Sequence, residues 1–309
     1  MVQAASIEAS EGPRWLVEGL WEEEGVGILS GAPKSCKTFC ALDLAFSVAT
    51  GTPALGKFRV KQAGPVLLFC AEDHPAMVRT RLEGFSIHRG VRLDSAPLHV
   101  VLENSLRLDT PKDQARLEAT VEHYRPRLLL LDPFVRLHRS IDENSALEVS
   151  GVLAYLRDIQ RNYHVAILLV HHSRKANAGN GQVGLSLRGS GDFHAWGQSN
   201  LYLRKRRGSL ELVIEQRNAP TPEPVQIALR GDDQSPPYLE VVCAAARSEE
   251  LADLKNRIIE VLANQSVPRI QDWLRSELHV RTQRLQQSLR ELELEGSIQR
   301  TAAGWEVRR

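Results

Sequence analysis

The sequence of 309 residues predicts an α/β protein built on a doubly wound, mostly parallel sheet with antiparallel edge strands. From residue 26 to residue 172, short apolar runs alternate with longer segments of helical periodicity. The apolar runs are continuous rather than alternating, which indicates strands that are buried on both faces of the sheet. Hydrophobic residues make up 42% and charged residues 25% of the chain, a balance typical of globular domains.

The predicted strands and helices of this region follow one another in pairs. The strand VGILSG precedes the helix KTFCALDLAFSVATG, which we expect to end at Gly51. Three more strand–helix pairs follow: GPVLLFCAED with HPAMVRTRLEGF, PLHVVLE with PKDQARLEATVEHYRP, and RLLLLDP with ENSALEVSGVLAYLRDIQRNYH. The run VAILLVHH completes the parallel set, whose ligands are expected at the carboxyl ends of the strands.

The remainder of the chain predicts an edge of the sheet and a second domain. Residues 174–192 lack periodicity and are rich in Gly, Ser and Asn, which predicts a loop. Antiparallel strands are expected at SNLYLRKR, SLELVIEQR, PVQIALR and PYLEVVCA. Residues 243–250 resemble a linker, so we expect domains at 1–245 and 246–309. Three helical segments and the hairpin IQRTAAGWEVRR favour a small winged-helix domain after the linker.

Composition excludes several classes of protein. The net charge is +1, so any nucleic-acid surface must be local. No apolar run reaches the roughly 18 residues of a membrane span, and we expect no membrane partner. The cysteines show no metal-ligand spacing, which favours reduced thiols in a cytoplasmic protein; they are Cys36, Cys40, Cys70 and Cys243.

The segment GAPKSCKT predicts a phosphate-binding loop, because it connects a strand to a helix. The pattern G-x-x-x-x-G-K-[ST] is met except at Cys36, which replaces the second glycine. Backbone N–H groups at a helix N-terminus favour phosphate, Lys37 would contact the β- and γ-phosphates, and the Thr38 hydroxyl would bind Mg²⁺. A positive φ at Cys36 would cost about 1 kcal/mol. The predicted ATP-binding residues are Gly31, Ala32, Pro33, Lys34, Ser35, Cys36, Lys37 and Thr38.

Polar side chains at the ends of three later strands complete a candidate site. Asp132 ends RLLLLDP, where its carboxylate can reach Mg²⁺. Glu72 can orient the attacking water, and Asp73 is either its competitor or a helix cap. His172 can contact the γ-phosphate. Since neighbouring residues on a strand face opposite ways, His171 and His172 are not expected to bind one metal; a buried, hydrogen-bonded pair is the alternative.

Together these motifs resemble the RepA-type hexameric replicative helicases of plasmids, in the RecA/DnaB superfamily. The resemblance covers about residues 13–245 and rests on GAPKSCKT, GPVLLFCAEDHPAMVRTRL, RLLLLDPFVRLHRSIDENSA, VAILLVHHSRK and LRGSGD. It implies a RecA-like fold and a homo-oligomer, most simply a hexamer, with ATP between subunits. The winged-helix segment has no counterpart in the resemblance.

The resemblance also implies that a neighbouring subunit supplies an arginine to the γ-phosphate. EQRNAP matches the DnaB-type pattern Lys-x-Arg-Asn-Gly-Pro at Arg217, with Glu215 and Ala219 departing from the pattern. LRGSG matches the RepA-type RGSS region at Arg188, which is the other candidate. An arginine of this kind contributes roughly 10³–10⁵ in rate.

Nucleic-acid contacts are expected at basic residues. The loop 174–190 corresponds in position to the second DNA-binding loop of RecA-like proteins and contains no acidic residue, which suits phosphate contacts. The run RKRR at 204–207 is either a second basic patch or a solvated hairpin tip. In the C-terminal segment the alternatives are DNA contact and protein docking. The residues concerned are Arg174, Lys175 and Arg188 in the loop, and Arg281 and Arg284 in the segment.

Two functions remain open from the sequence. The first is an ATP- and Mg²⁺-dependent ring motor on DNA, with single-stranded DNA favoured: a helicase or a DNA-remodelling ATPase. The second is a nucleotide-switched regulator or adaptor, in which ATP controls assembly and the winged helix binds DNA or a protein.

Overall fold

The protein is described by a computed structural model. The described residues are all except 1, 4–5, 7–11, 103–105, 140, 144, 173–191, 207–208, 232–235, 243, 266, 281 and 309. The side chains of residues 206, 244–252, 283 and 284 also lie outside the description. The chain divides into two compact units, residues 1–229 with 238–241, and residues 230–237 with 242–309.

The first unit contains the sheet and the helices that cover it. Its strands are β1 (Trp15–Val17), β2 (Trp21–Glu22), β3 (Val26–Gly31), β4 (Val66–Cys70), β5 (Leu98–Val101), β6 (Leu128–Asp132), β7 (Ala166–His172), β8 (Ser199–Arg206), β9 (Ser209–Gln216), β10 (Val225–Arg230, whose last residue falls in the second unit) and β11 (Tyr238–Val241). Its helices are α1 (Lys37–Thr50), α2 (Pro75–Arg89), α3 (Pro111–Tyr124), α4 (Ala146–Tyr163) and α5 (Asp192–Trp196).

The described strands form a nine-stranded sheet in the order β11-β10-β9-β8-β3-β7-β6-β4-β5. The central strand β3 pairs in parallel with both β7 and β8, and the parallel pairing continues from β7 through β6 and β4 to β5. Towards the other edge, β8 pairs with β9 and β9 with β10 in antiparallel fashion. The predicted mostly parallel sheet with antiparallel edge strands is therefore confirmed.

Each face of the sheet packs against its own set of helices. Leu29 of β3 lies in a core that includes buried residues of α1 and α2, whereas Val26 and Ile28 lie in a core with residues of α3 and α4. Successive residues of a strand point to opposite faces, so a strand between two cores must be apolar throughout. This accounts for the continuous apolar runs in the sequence.

Local signals explain where the helices begin. Thr110 and Ser145 cap α3 and α4, each accepting a hydrogen bond from a backbone N–H three residues later. The cap of α2 is His74, whose ring accepts from the Ala76 N–H at 3.3 Å. The alternative that placed this cap at Asp73 is wrong, because the Asp73 carboxylate instead forms an ion pair with Arg81.

Three other local expectations are corrected. The linker predicted over residues 243–250 is wrong, since α6 (Ala244–Ala263) begins within it. Helix α2 continues to Arg89, beyond the predicted end at residue 85. The short hairpin of β1 and β2 lies in the acidic N-terminal stretch, where no strand was predicted.

The second unit contains α6, α7 (Gln271–Leu278) and α8 (Thr282–Leu294), followed by β12 (Ile298–Thr301) and β13 (Gly304–Val307). The two strands form an antiparallel pair, and Arg269 adds an isolated bridge to Trp305. Its core consists of apolar side chains from every element, among them Leu254, Ile258, Leu274, Leu278, Leu285, Leu289, Ile298 and Trp305. Within the described parts of the chain, no helix is long and apolar enough to cross a membrane.

Gly27 provides a test of the close packing between β3 and β8. A Cβ atom at this position would lie 1.7 Å from the Ser199 carbonyl oxygen, so Gly27→Ala must displace backbone. We expect the free energy of unfolding to fall by about 3 kcal/mol, the upper end of the usual cost of overpacking, because backbone must move. The measurement is urea unfolding without nucleotide.

The matched control is Gly151→Ala in α4, where a Cβ atom would have no neighbour within 4 Å. Alanine is the better helix former by roughly 0.5–1 kcal/mol, so this variant should gain stability. Equal unfolding midpoints for the two variants would contradict the packing described for β3.

Candidate functional site

The candidate site lies at the carboxyl ends of four adjacent parallel strands. β3, β7, β6 and β4 are neighbours in that order, and their last residues are Gly31, His172, Asp132 and Cys70. Parallel strands bring their carboxyl ends to one edge of the sheet. The loop 31–38, Asp132, His172 and Glu72 are therefore assembled at that edge, as the sequence predicts.

The predicted phosphate-binding loop connects β3 to α1. Ala32, Pro33 and Lys34 are exposed, and Lys34 has a φ of 61°. Ser35 is buried, and its hydroxyl has no hydrogen-bond partner among the described residues. Because α1 begins at Lys37, its unpaired N–H groups face the end of the loop, an arrangement that favours an anion.

Cys36 adopts the left-handed conformation that its place in the loop demands. Its φ is 64° and its ψ is 24°, and its side chain makes no capping hydrogen bond to α1. A glycine reaches this region without steric penalty, whereas a residue with a Cβ atom pays roughly 1 kcal/mol. The expected strain at the substituted position is therefore present.

Lys37 is held inside the loop. Its ammonium donates hydrogen bonds to the carbonyl oxygens of Gly31 and Ala32, both at 2.9 Å, and the residue is 5% exposed. Burial lowers the pKa of Lys37, and the nearby carboxylates of Asp132 and Glu72 partly oppose that effect. A phosphate group beside this ammonium would offset the cost of its desolvation.

Asp132 lies beside Thr38 at the end of β6. Burial raises the pKa of Asp132 to about 6, and a hydrogen bond from Thr38 opposes this effect. Asp73 and Glu72 act in the same direction as burial, and Lys37 acts against it. The side chain is a buried carboxylate gathered with other acids around one lysine.

The donor set at this edge fits Mg²⁺. A carboxylate and a hydroxyl are hard oxygen ligands, and Mg²⁺ commonly takes one or two protein ligands and completes its shell with water and phosphate oxygens. Among the described residues, no cluster of three His, Cys, Asp or Glu side chains could hold a metal without such help. Thr38 and Asp132 therefore fit a metal that arrives with a nucleotide.

Glu72 contacts two basic groups at the end of β4. His172 Nε2 lies 3.5 Å from Glu72 Oε2, and Arg136 Nε lies 3.3 Å from Glu72 Oε1. Burial lowers the pKa of His172; Lys37 lowers it further, and Glu72 opposes both. His172 is therefore neutral at pH 7, and its Nε2–H can donate a hydrogen bond to the Glu72 carboxylate.

His171 faces the opposite side of β7 from His172. It is 2% exposed and its ring stacks on Phe193 with centroids 4.4 Å apart. Burial lowers the pKa of His171 to about 4. The two histidines thus face separate surroundings, as strand geometry requires.

The basic residues predicted from the resemblance are differently placed. Arg217 follows β9; its backbone N–H donates to Gln198 O, and the Gln198 N–H donates to Val26 O at the start of β3. Arg217 therefore lies beside the amino-terminal end of β3, whereas the phosphate-binding loop follows its carboxyl end. Its side chain is exposed and donates to the Ala195 carbonyl oxygen. The remaining predicted residues, Arg174, Lys175, Arg188, Arg281 and the Arg284 side chain, lie outside the described residues.

Two contacts at the site were not foreseen from the sequence. Arg136, in the 3₁₀ turn after β6, pairs with Glu72, and Arg81 of α2 pairs with Asp73. Neither arginine carries a local motif. The one available signal was their occurrence in segments that follow strand ends.

A family model described as an AAA domain matches residues 2–178, which include the phosphate-binding loop, Glu72, Asp132 and His172. Among solved structures, one that is described as an ATPase domain superposes with a TM-score of 0.52 and 12% sequence identity, covering 68% of this chain and 82% of that chain. At this identity the likeness shows a shared fold. No curated protein matches the sequence.

Replacing Cys36 tests the strain in the loop. Cys36→Gly should raise the free energy of unfolding by about 0.5–1 kcal/mol, because glycine reaches a φ of 64° without a Cβ clash. Cys36→Ala keeps the Cβ atom and should show no such gain. Urea unfolding without nucleotide measures both, and equal stabilities of the two variants would contradict the strain.

The raised pKa of Asp132 predicts that the stability of the fold depends on pH. Its pKa is raised to about 6 in the folded state, so the stability it contributes is complete at low pH and is lost as the pH rises through 6. The Asp132→Asn variant has no carboxyl group to ionise at this position, so it does not lose this stability as the pH rises. Between pH 4.5 and 7.5 the stability of the variant relative to wild type should therefore rise by roughly 2 kcal/mol.

The measurement is urea unfolding across this pH range, without nucleotide and with a chelator present. The control is Asp158→Asn, which removes an exposed carboxylate from α4. If the difference in stability between Asp132→Asn and the wild type does not change with pH, the raised pKa of Asp132 is contradicted.

Proposed function

Because the chain belongs to the AAA domain family, we propose that it is a P-loop ATPase that acts on DNA as a ring-forming motor. The observation that carries this proposal is the convergence of Lys37, Thr38, Asp132 and Glu72 at one edge of the sheet. These residue types, grouped at the carboxyl ends of β3, β6 and β4, are the parts needed to bind and hydrolyse a nucleoside triphosphate.

Each residue has a distinct role in the proposed reaction. Lys37 compensates the negative charge of the β- and γ-phosphates, and the loop 31–38 binds them through its backbone. Thr38 and Asp132 would hold Mg²⁺, which supplies positive charge at the phosphates when bound. Glu72 accepts a hydrogen bond from the attacking water and so orients it for in-line attack. His172 lies 3.5 Å from one oxygen of Glu72 and would contact the γ-phosphate of a bound nucleotide.

Arg217 supports action between neighbouring subunits. A strand the length of β3 spans about 17 Å, so Arg217, beside the amino-terminal end of β3, is remote from the phosphate-binding loop of its own chain. A head-to-tail arrangement would bring this end of the sheet in one copy to the site of the next. We therefore propose Arg217 as the γ-phosphate arginine in a hexamer, with Arg188 as the alternative.

The proposed partner is DNA, with single-stranded DNA favoured. The support is the chemistry of the loop containing Arg174, Lys175 and Arg188, which suits phosphate contacts. The second unit has three helices, an antiparallel hairpin and a bridge from Arg269 to Trp305, an order that fits a winged helix. Arg281 and Arg284 are its proposed DNA contacts, and the proposed location is the cytoplasm.

A nucleotide-switched regulator is the second candidate. The strained Cys36 in the phosphate-binding loop and the separate second unit favour it. This candidate predicts tight ATP binding with slow turnover, and no separation of DNA strands. The motor predicts ATP-dependent strand displacement, so one assay with a tailed duplex decides between them.

The first test is ATP hydrolysis with and without DNA. We expect single-stranded DNA to raise the rate several-fold, and Lys37→Ala to abolish hydrolysis because it removes the charge held at the phosphates. The control is Lys112→Ala, which changes an exposed lysine on α3. Hydrolysis that neither single- nor double-stranded DNA stimulates would contradict the motor.

A further inference from the structure

A carboxylate bridges two buried histidines next to the nucleotide site. Glu143 Oε1 lies 3.4 Å from His138 Nε2, and Glu143 Oε2 lies 3.8 Å from His171 Nδ1. His138 belongs to the segment after β6, and His171 is the penultimate residue of β7. We call these three residues the His–Glu–His cluster. It connects the chain that follows Asp132 to the strand that carries His172.

The cluster is closely packed. Both imidazoles are buried, and Phe134 lies 5.0 Å from the His138 ring and 6.4 Å from the His171 ring, centroid to centroid. Phe193, in the first turn of α5, stacks on His171 and meets Phe134 edge to face at 4.9 Å. Aromatic walls of this kind leave the imidazoles little freedom to turn.

Glu143 is the polar group that engages both rings. The second nitrogens, His138 Nδ1 and His171 Nε2, are buried and have no hydrogen-bond partner in the described parts of the chain. The hydrogen bond from His138 lowers the pKa of Glu143 against the opposing effect of its burial, so the carboxylate is ionised at neutral pH. Bonds to an ionised acceptor are stronger than neutral ones. The orientation of the His138 ring therefore depends on its hydrogen bond to Glu143, and the His171 ring contacts the other oxygen of the same carboxylate at 3.8 Å.

The His–Glu–His cluster adjoins the proposed ATP site, because His171 of the cluster is followed directly by His172 of the site. His171 and His172 are consecutive on β7 and face opposite sides, so a rotation of the strand end that moves one ring must move the other. His172 Nε2 lies 3.5 Å from Glu72 Oε2, the carboxylate proposed to orient the attacking water. A small displacement there would misplace Glu72, and an error of about 1 Å can cost a hundredfold in rate.

We propose that Glu143 is a positioning residue of the ATP site: it bridges His138 and His171, fixes the end of β7, and so holds His172 against Glu72. This inference rests on the proposed ATPase function. In this proposal Glu143 acts through the two histidines and not on the reacting groups. Its effect should appear in the hydrolysis step and not in nucleotide binding, because the phosphate-binding loop belongs to a different strand, β3.

The test compares Glu143→Gln with Glu148→Gln. Glutamine keeps the shape of Glu143 but removes its charge. Glu148 is the matched control, because it lies five residues further on and accepts a hydrogen bond from the Asp142 N–H at 2.8 Å, in the first turn of α4. We expect Glu143→Gln to lower kcat about tenfold with KM for ATP within about twofold, and Glu143→Asp to recover part of the rate. Glu148→Gln should match the wild type.

A wild-type kcat in Glu143→Gln, or a loss that falls equally on Glu148→Gln, would overturn the proposal. Histidine ring NMR supplies a second readout that does not require turnover. A non-hydrolysable ATP analogue should shift the signals of His138 and His171 in the wild-type protein, and Glu143→Gln should change the signal of His172. Unchanged histidine signals in both experiments would also overturn it.

The two proposals can fail separately. A wild-type protein that hydrolyses no ATP would refute the proposed function, and the NMR experiments would still decide whether Glu143 positions His172. A wild-type protein that hydrolyses ATP alongside an indifferent Glu143→Gln variant would refute only the role of Glu143.

Discussion

The nucleotide site depends on the close approach of β3 to β8. At Gly27 and Gly31 a Cβ atom would lie 1.7 Å and 2.4 Å from carbonyl oxygens of β8, so both positions require glycine. This packing fixes the end of β3 and with it the start of the phosphate-binding loop. Lys37 then bonds back to the carbonyls of Gly31 and Ala32. The geometry of the phosphate-binding loop is therefore a consequence of backbone packing between two strands of the sheet.

The site concentrates charge at a place where burial disfavours it. Burial raises the pKa of Asp132 and lowers the pKa of Lys37, so each group loses free energy by being ionised there. The left-handed Cys36 adds backbone strain to the same loop. In the proposed function a Mg²⁺–nucleotide pair would offset the two electrostatic costs, since it brings opposite charges to Asp132 and Lys37; the strain at Cys36 is steric and is not offset in this way. A ligand that binds only the folded protein also stabilises the fold by mass action.

The parts of the fold that follow local rules could be predicted from the sequence. Continuous apolar runs marked the parallel strands, and the residues that followed them, Lys37, Glu72, Asp132 and His172, were brought to one edge by strand direction alone. The linker predicted over residues 243–250 was wrong because its alanines favour a helix, and α6 begins there at Ala244. Three contacts could not be predicted from the sequence, because each depends on how separate segments pack. They are Arg136 with Glu72, Arg81 with Asp73, and Glu143 with the two histidines.

The placement of arginines has a consequence for assembly. Arg136 lies near the site, but its guanidinium already forms an ion pair with Glu72. Arg217 lies at the other ends of the strands, near the start of β3. If Arg217 acts on the γ-phosphate, it must do so from another copy, and the contact between copies joins two different surfaces. Such a heterologous contact repeats until it closes into a ring or continues as a filament. Nucleotide binding and assembly are then linked, because ATP bound between two copies stabilises the contact by the same free energy by which the contact tightens ATP binding.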